Sequence, residues 1–116
     1  MIQIKRIYEP FDSADGQRVL VDRLWPRGIR KVDARLDEWL RDIAPSHDLR
    51  TWFDHDPTRW EDFARRYTAE LANTSLQSHL ARLRGIGKAG TLTLLYAARS
   101  ETVNHAVVLR AYLADG

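Results

Sequence analysis

Residues Val19-Leu20-Val21-Asp22-Arg23-Leu24-Trp25-Pro26-Arg27-Gly28 constrain the fold more than any other stretch, because three strand-forming residues run straight into a crowd of polar and aromatic groups. Val19, Leu20 and Val21 fit a buried strand. Pro26 lacks the ladder N–H and Gly28 admits backbone angles that other residues avoid, so the strand must end before them. Asp22, Arg23, Trp25 and Arg27 then stand at the carboxyl end of that strand, the edge at which open parallel sheets bind ligands. A salt-bridged strand end plugged by a tryptophan accounts for the same cluster equally well.

With 116 residues the chain has room for one domain with a real core, residues 1–116. A composition 44% hydrophobic and 29% charged is that of a globular protein and not of a disordered one. No apolar run reaches the ~20 residues of a membrane span, and Met1 to Arg6 reads as a strand without the apolar stretch of a signal peptide, so the expected location is cytoplasmic. The absence of cysteine removes disulfides, thiolate metal sites and cysteine nucleophiles. A net charge of +2 is too small to imply nucleic acid. The basic residues are nearly all arginine, with lysine only at Lys5, Lys31 and Lys88. Arginine suits bidentate recognition of phosphate or carboxylate, although compositional bias explains the same excess.

Patterning predicts three strands, at about 2–8, 18–24 and 91–98. The segment Glu9 to Gln17, with Pro10, Asp12, Ser13, Asp15 and Gly16, reads as a connection or short helical turn. A helix is expected from an Asp33 N-cap, with Leu36, Trp39, Leu40 and Ile43 at the spacing of one buried face and Pro45 as its stop. Ser46 caps a short helix reaching about Asp54. Asp56-Pro57 starts the next, with Trp60, Phe63, Ala64, Tyr67 and Leu71 in one stripe. Leu76, Leu80 and Leu83 belong to a further helix stopped by Gly85 and Gly87. After the third strand, the loop Arg99 to Asn104 enters a last helix, capped by Ser100 or Thr102, with Asn104 and His105 in its first turn. Strands alternating with helices define an α/β fold in two or three layers, with a small, mainly parallel sheet of three or four strands flanked by helices. Antiparallel pairing of the first two strands stays open.

If the strands are parallel, their carboxyl ends bring together Tyr8 to Pro10, Asp22 to Arg27 and Tyr96 to Asn104. The last of these, entering a helix N-terminus, is a ready anion site, although an ordinary capped helix also fits. The positive helix end disfavours a charged His105, which suits a neutral hydrogen-bonding group or base. Asp54-His55-Asp56 resembles a metal cluster in composition only, and no metal site is expected. Trp39, Trp52 and Trp60 read as core, and Trp25 as a pocket wall. Gly85 to Thr91 precedes a strand and is therefore not a phosphate-binding P-loop. Arg65-Arg66 and Arg82 with Arg84 read as solvated helix faces.

The motifs Val19 to Gly28, Leu36-Asp37-Glu38-Trp39, Leu92 to Ala98 and Asn104-His105-Ala106 together resemble the family called domain of unknown function 488, in its short YeaO-like branch. The likeness spans nearly the whole chain and implies a small bacterial or archaeal α/β domain. Longer members of the wider family tend to carry a cysteine and a Cys-His-Arg segment around the loop after the last strand. Here that region reads Tyr96-Ala97-Ala98-Arg99 and Val103-Asn104-His105-Ala106, so thiol chemistry does not carry over, whereas a histidine in a similar place does.

Two functions are consistent with these residues. One is a pocket for a small anionic ligand, bound or acted on at the carboxyl edge of the sheet. Its candidate contacts are Arg23, Trp25, Arg27, Tyr96, Arg99, Ser100 and Asn104, with Asp22 and His105 as the candidate catalytic pair. Asp22 and Arg23, adjacent in a strand, should face opposite ways, so at most one should enter the pocket. The other is a non-catalytic module holding nucleic acid or an acidic protein through arginine-rich helices. No cofactor is specified.

Overall fold

The strand at the centre of the domain is β4 (Leu92–Tyr96), whose five residues are all buried, as a run apolar on both faces requires. The computed structural model describes residues 1–116. β4 is flanked by β1 (Ile2–Arg6) and β2 (Gln17–Leu20), and β2 by the two-residue β3 (Glu38–Trp39). The sheet order is β1-β4-β2-β3, with every pair parallel. β1 and β2 are not neighbours, which removes the antiparallel alternative. The helices are α1 (Lys31–Ala34), α2 (His47–Phe53), α3 (Trp60–Leu71), α4 (Gln77–Ala89) and α5 (His105–Ala114).

Side-chain alternation gives the sheet two unlike faces. Val19, Val21, Leu92, Leu94 and Tyr96 join the main core with Phe63, Tyr67, Leu80, Leu83, Leu109 and Leu113 from α3, α4 and α5. Leu20 and Leu95 point the other way, into a small cluster with Ile7 and Ala34, against which Trp25, Ile29, Leu36 and Trp39 pack. The first face carries helices and the second is roofed by the connections β1–β2 and β2–β3. Those two connections run outward across the loop side and the return from β3 to β4 runs across the helix side, as right-handed crossovers demand. The strands number four, within the expected range.

Beneath the roof lies a buried ionic knot. Asp15, only 3% exposed, accepts from Lys5 at 3.0 and 3.1 Å, from the Asp12 N–H at 3.2 Å and from Arg18, itself 2% exposed. Its carbonyl accepts from Thr93 at 2.6 Å, which ties the knot to β4. Burial opposes ionisation of Asp15, but the hydrogen bonds from Lys5, the Asp12 backbone and Arg18 outweigh it and hold the carboxyl below its ordinary value of 3.8.

Four arginines fasten the chain in one repeated way. Each directs Nε and Nη2 at the carbonyls of two consecutive residues: Arg6 at Ala98 and Ala97, Arg18 at Arg35 and Ala34, Arg23 at Pro45 and Ala44, Arg84 at Leu113 and Tyr112. The planar guanidinium fork fits two adjacent acceptors, which an ammonium does not. This use of the fork gives four of the fifteen arginines a physical reason.

Three expectations are corrected. The helix expected from Asp33 through Ile43 is absent: α1 is one turn, capped by Arg30 and ended by left-handed Arg35 (φ 49°). Leu20 and Trp39 pair in the sheet, so Leu36 and Trp39 serve the loop side while Leu40 and Ile43 serve the main core. The apolar spacing of one helix face is met by two faces of a sheet. α4 does not stop at Gly85 and Gly87 but continues to Ala89; Gly87 is there for packing, since β1 crosses so close that a Cβ on it would lie 2.5 Å from Ile2, whereas Gly85 faces open space. The cap of α5 is Asn104, whose Oδ1 accepts from Val107 N–H at 3.1 Å, while Ser100 caps the turn before it through Val103 N–H at 2.9 Å.

Arg84→Lys should lower stability by about 1–2 kcal/mol in urea unfolding, since one carbonyl of its pair loses its donor. The depressed carboxyl of Asp15 contributes stability that is complete above pH 3.8 and is lost as pH falls through its lower folded value. Asp15→Asn should cost about 3–5 kcal/mol near neutral pH, by stranding Lys5 and Arg18, and should flatten the loss of stability below pH 4.

Candidate functional site

The adjacent strands β2 and β4 send their chains to opposite faces, and a crevice opens at their carboxyl ends. The segment after β2 turns to the loop side and the segment after β4 turns to α5 on the helix side. A cavity of about 1170 Å³ lies there, lined by Asp22, Arg23 and Leu24 from the first segment and by Ala97–Ser100 and Val103–His105 from the second. Its third wall is Ala44 and Pro45 with His47, Arg50, Thr51 and Phe53 of α2, followed by Asp54, His55 and Pro57, over Phe63 of α3.

Asp22 and His105 join the two strands. The Asp22 Oδ2 accepts from Ala97 N–H at 3.0 Å, and its carbonyl accepts from Trp39 Nε1 at 2.7 Å. His105 Nε2 lies 2.9 Å from the Val21 carbonyl and 3.2 Å from Asp22 Oδ1. A carbonyl only accepts, so Nε2 carries the proton. That hydrogen is aimed at Val21, which leaves the buried Asp22 Oδ1 in the field of the imidazole but without a hydrogen bond of its own. Tyr67 lies edge-on to the imidazole at 6.1 Å and donates to the Ile43 carbonyl at 2.7 Å. Burial, with Glu70 and Asp22 adding to it, pushes its hydroxyl well above the usual phenol range, so it remains a donor.

Six of the nine residues singled out in the sequence line this cavity: Asp22, Arg23, Arg99, Ser100, Asn104 and His105. Asp22 and Arg23 both face it, contrary to strand alternation, because β2 ends at Leu20 and neither residue belongs to a strand. The fork of Arg23 is engaged by Ala44 and Pro45 and sets the α2 wall, just as the fork of Arg6 sets the Ala97–Ala98 wall from outside. Trp25, Arg27 and Tyr96 are elsewhere. Trp25 donates to the Ile29 carbonyl at 2.7 Å and packs edge-on to Trp39 at 5.2 Å under the loop side. Arg27 is exposed, its carbonyl held by Tyr8 at 2.9 Å, and Tyr96 is buried in the main core. The α2 wall was not foreseen. Its signal was Arg50, a charged residue in a short helix whose other side chains include Leu49, Trp52 and Phe53. No group of three or more His, Asp or Glu side chains is placed to hold a metal ion.

A parallel α/β domain with its crevice at a topological switch point is thus the class of protein these elements define. Within that class, the chain belongs to the family described as the inactive DUF488-N3 subclade, whose model matches residues 1–116. It is 48% identical to the uncharacterized protein YeaO of Escherichia coli over 112 residues, covering 97% of this chain and 96% of that one. It is 44% identical to the uncharacterized protein Rv3073c of Mycobacterium tuberculosis over 112 residues, 97% of this chain and 92% of that one. No solved structure matches.

Asp22→Ala should lower stability by about 1–3 kcal/mol, since it strands the Ala97 N–H at the strand end, whereas Asp22→Asn keeps an acceptor there and should cost less. Denaturant midpoints of the two variants check the order.

Proposed function

We propose that the protein binds a small anion, of the phosphate-ester or carboxylate kind, in the switch-point cavity and does not transform it. The observation that carries this reading is that Arg50 and Arg99 line the cavity while their guanidinium groups make no hydrogen bond or ion pair with the rest of the chain. A guanidinium with no internal partner beside a concave, partly apolar wall is a recognition element for a planar or tetrahedral anion. Phe53, Phe63, Pro45 and Val103 offer an apolar body a dry surface.

Binding without turnover is supported by the use made of the Asp22–His105 pair. Nε2 is protonated and held by a backbone carbonyl, and Asp22 Oδ2 is held by a backbone N–H, so both groups are occupied in joining β2, β4 and α5. The chain has no cysteine. The description of its family as inactive agrees with this reading.

The rival reading, a basic helical surface for nucleic acid or an acidic protein, finds its arginines engaged. Arg65 pairs with Asp62 at 2.8 Å, Arg82 with Glu38 at 2.7 Å, Arg66 lies 4.2 Å over Trp52, and Arg84 holds two carbonyls.

Calorimetry with inorganic phosphate, aryl phosphates and small carboxylates should detect a ligand that at ~100 times its dissociation constant stabilises the fold by about 2.7 kcal/mol. Arg50→Ala and Arg99→Ala should each weaken it roughly tenfold, the loss of one charge-assisted contact, while Arg27→Ala should leave it unchanged. Affinity that survives both cavity substitutions would place the site elsewhere. Overnight phosphorus NMR of the bound ester should show no product.

A further inference from the structure

At the end of α2 the chain does something that its own stability disfavours. Asp54 and His55 are consecutive non-glycine residues with positive φ, 46° and 55°, in the left-handed region. Glycine adopts that backbone without strain, whereas a side chain adds a cost, smallest for residues such as Asp, Asn and His. Asp54 is also the C-cap of α2, so a carboxylate sits at the negative end of a helix dipole, where a cation is favoured. Two independent penalties therefore fall on one residue.

The turn has a visible effect on charge. Asp54 stands four residues after Arg50, the spacing at which opposite charges pair along a continuous helix. The left-handed C-cap takes Asp54 off the helical path, and the two side chains make no ion pair although both line the cavity. The carboxylate of Asp54 forms no hydrogen bond or ion pair elsewhere. A cation and an anion that could have neutralised each other are held apart in one cavity, beside the ring of Phe53.

Resting on the anion-binding reading above, we infer that the cavity selects zwitterionic ligands, in which an anionic group meets Arg50 and Arg99 and a protonated amine on the same molecule meets Asp54. Costly backbone that persists at a concave site points to a function for the side chains it presents. A purely anionic ligand would gain nothing from Asp54, which is exposed at the cavity mouth, and would be repelled by it, so the carboxylate favours a ligand with a positive end. The aromatic wall favours a flat body between the two charges.

The test is a matched pair of probes, 4-(2-aminoethyl)phenyl phosphate and 4-ethylphenyl phosphate, which differ only in the amine, titrated calorimetrically at pH 7 and low salt. Wild type should prefer the amine-bearing probe by about fivefold, the upper range of an exposed ion pair. In Asp54→Asn that preference should vanish while affinity for 4-ethylphenyl phosphate is kept or improved. Asp54→Asn and Asp54→Gly should both raise Tm without ligand by about two to four degrees, as relief of strain and of the dipole predicts. Preference that survives Asp54→Asn, or a lowered Tm in both variants, overturns the inference. Equal binding of both probes to wild type overturns it too but leaves anion binding standing; no binding of either removes the anion-binding reading itself.

Discussion

Two neighbouring parallel strands, β2 and β4, hand their chains to opposite faces of one sheet, and the rest of the molecule depends on how the gap between them is held. The backbone ladder between them ends with the Val21 N–H, which donates to the Leu95 carbonyl at 3.0 Å, so side chains must complete the seam beyond it. Asp22 takes the Ala97 N–H, Trp39 takes the Asp22 carbonyl, and His105 takes the carbonyl of Val21. These contacts bring a strand end, a loop and a helix N-terminus to one place. Without them the cavity would have no fixed rim.

The walls of that cavity are set by arginine forks that hold backbone carbonyls. Arg6 grips the β4–α5 loop from behind and Arg23 grips the segment entering α2. Arg50 and Arg99 are the cavity arginines left without internal partners. The division is chemical: a fork facing two adjacent carbonyls is satisfied, whereas one facing the cavity is not.

Much of this was legible in the sequence, and the failures have common causes. Ser46 announced α2, and Asp56-Pro57 announced the 3-10 turn Pro57–Arg59 that runs into α3, because capping is local chemistry; β4 announced itself because a strand buried on both faces is mostly apolar. The stretch from Arg35 to Ile43 misled because apolar residues at helical spacing can equally be shared between two faces of a sheet, and only long-range pairing with β2 decides. Gly87 misled for a related reason, since the close approach of β1 to α4 is invisible in local propensity. Asp22, Arg23, Arg99, Ser100, Asn104 and His105 line one cavity because strand ends meet there, which the order of strands in the sequence makes legible. The α2 wall was missed because it arrives from neither strand end. Trp25 shared the motif with Asp22 but faces the opposite side of the sheet, a distinction that adjacency in sequence conceals.

The four arginine forks also say something about what the charge of such a protein means. Carbonyl oxygens are neutral, so a guanidinium that clasps two of them uses a cation without consuming an anion. Arg6, Arg23 and Arg84 do this with no carboxylate partner, and three such residues exceed the net charge of +2. Part of the positive charge of the molecule is therefore committed to fastening its loops, beside the two cavity arginines that have no internal partner. A chain without disulfides can become basic for the sake of its turns, and its isoelectric point then reports on internal carpentry as well as on the company it keeps.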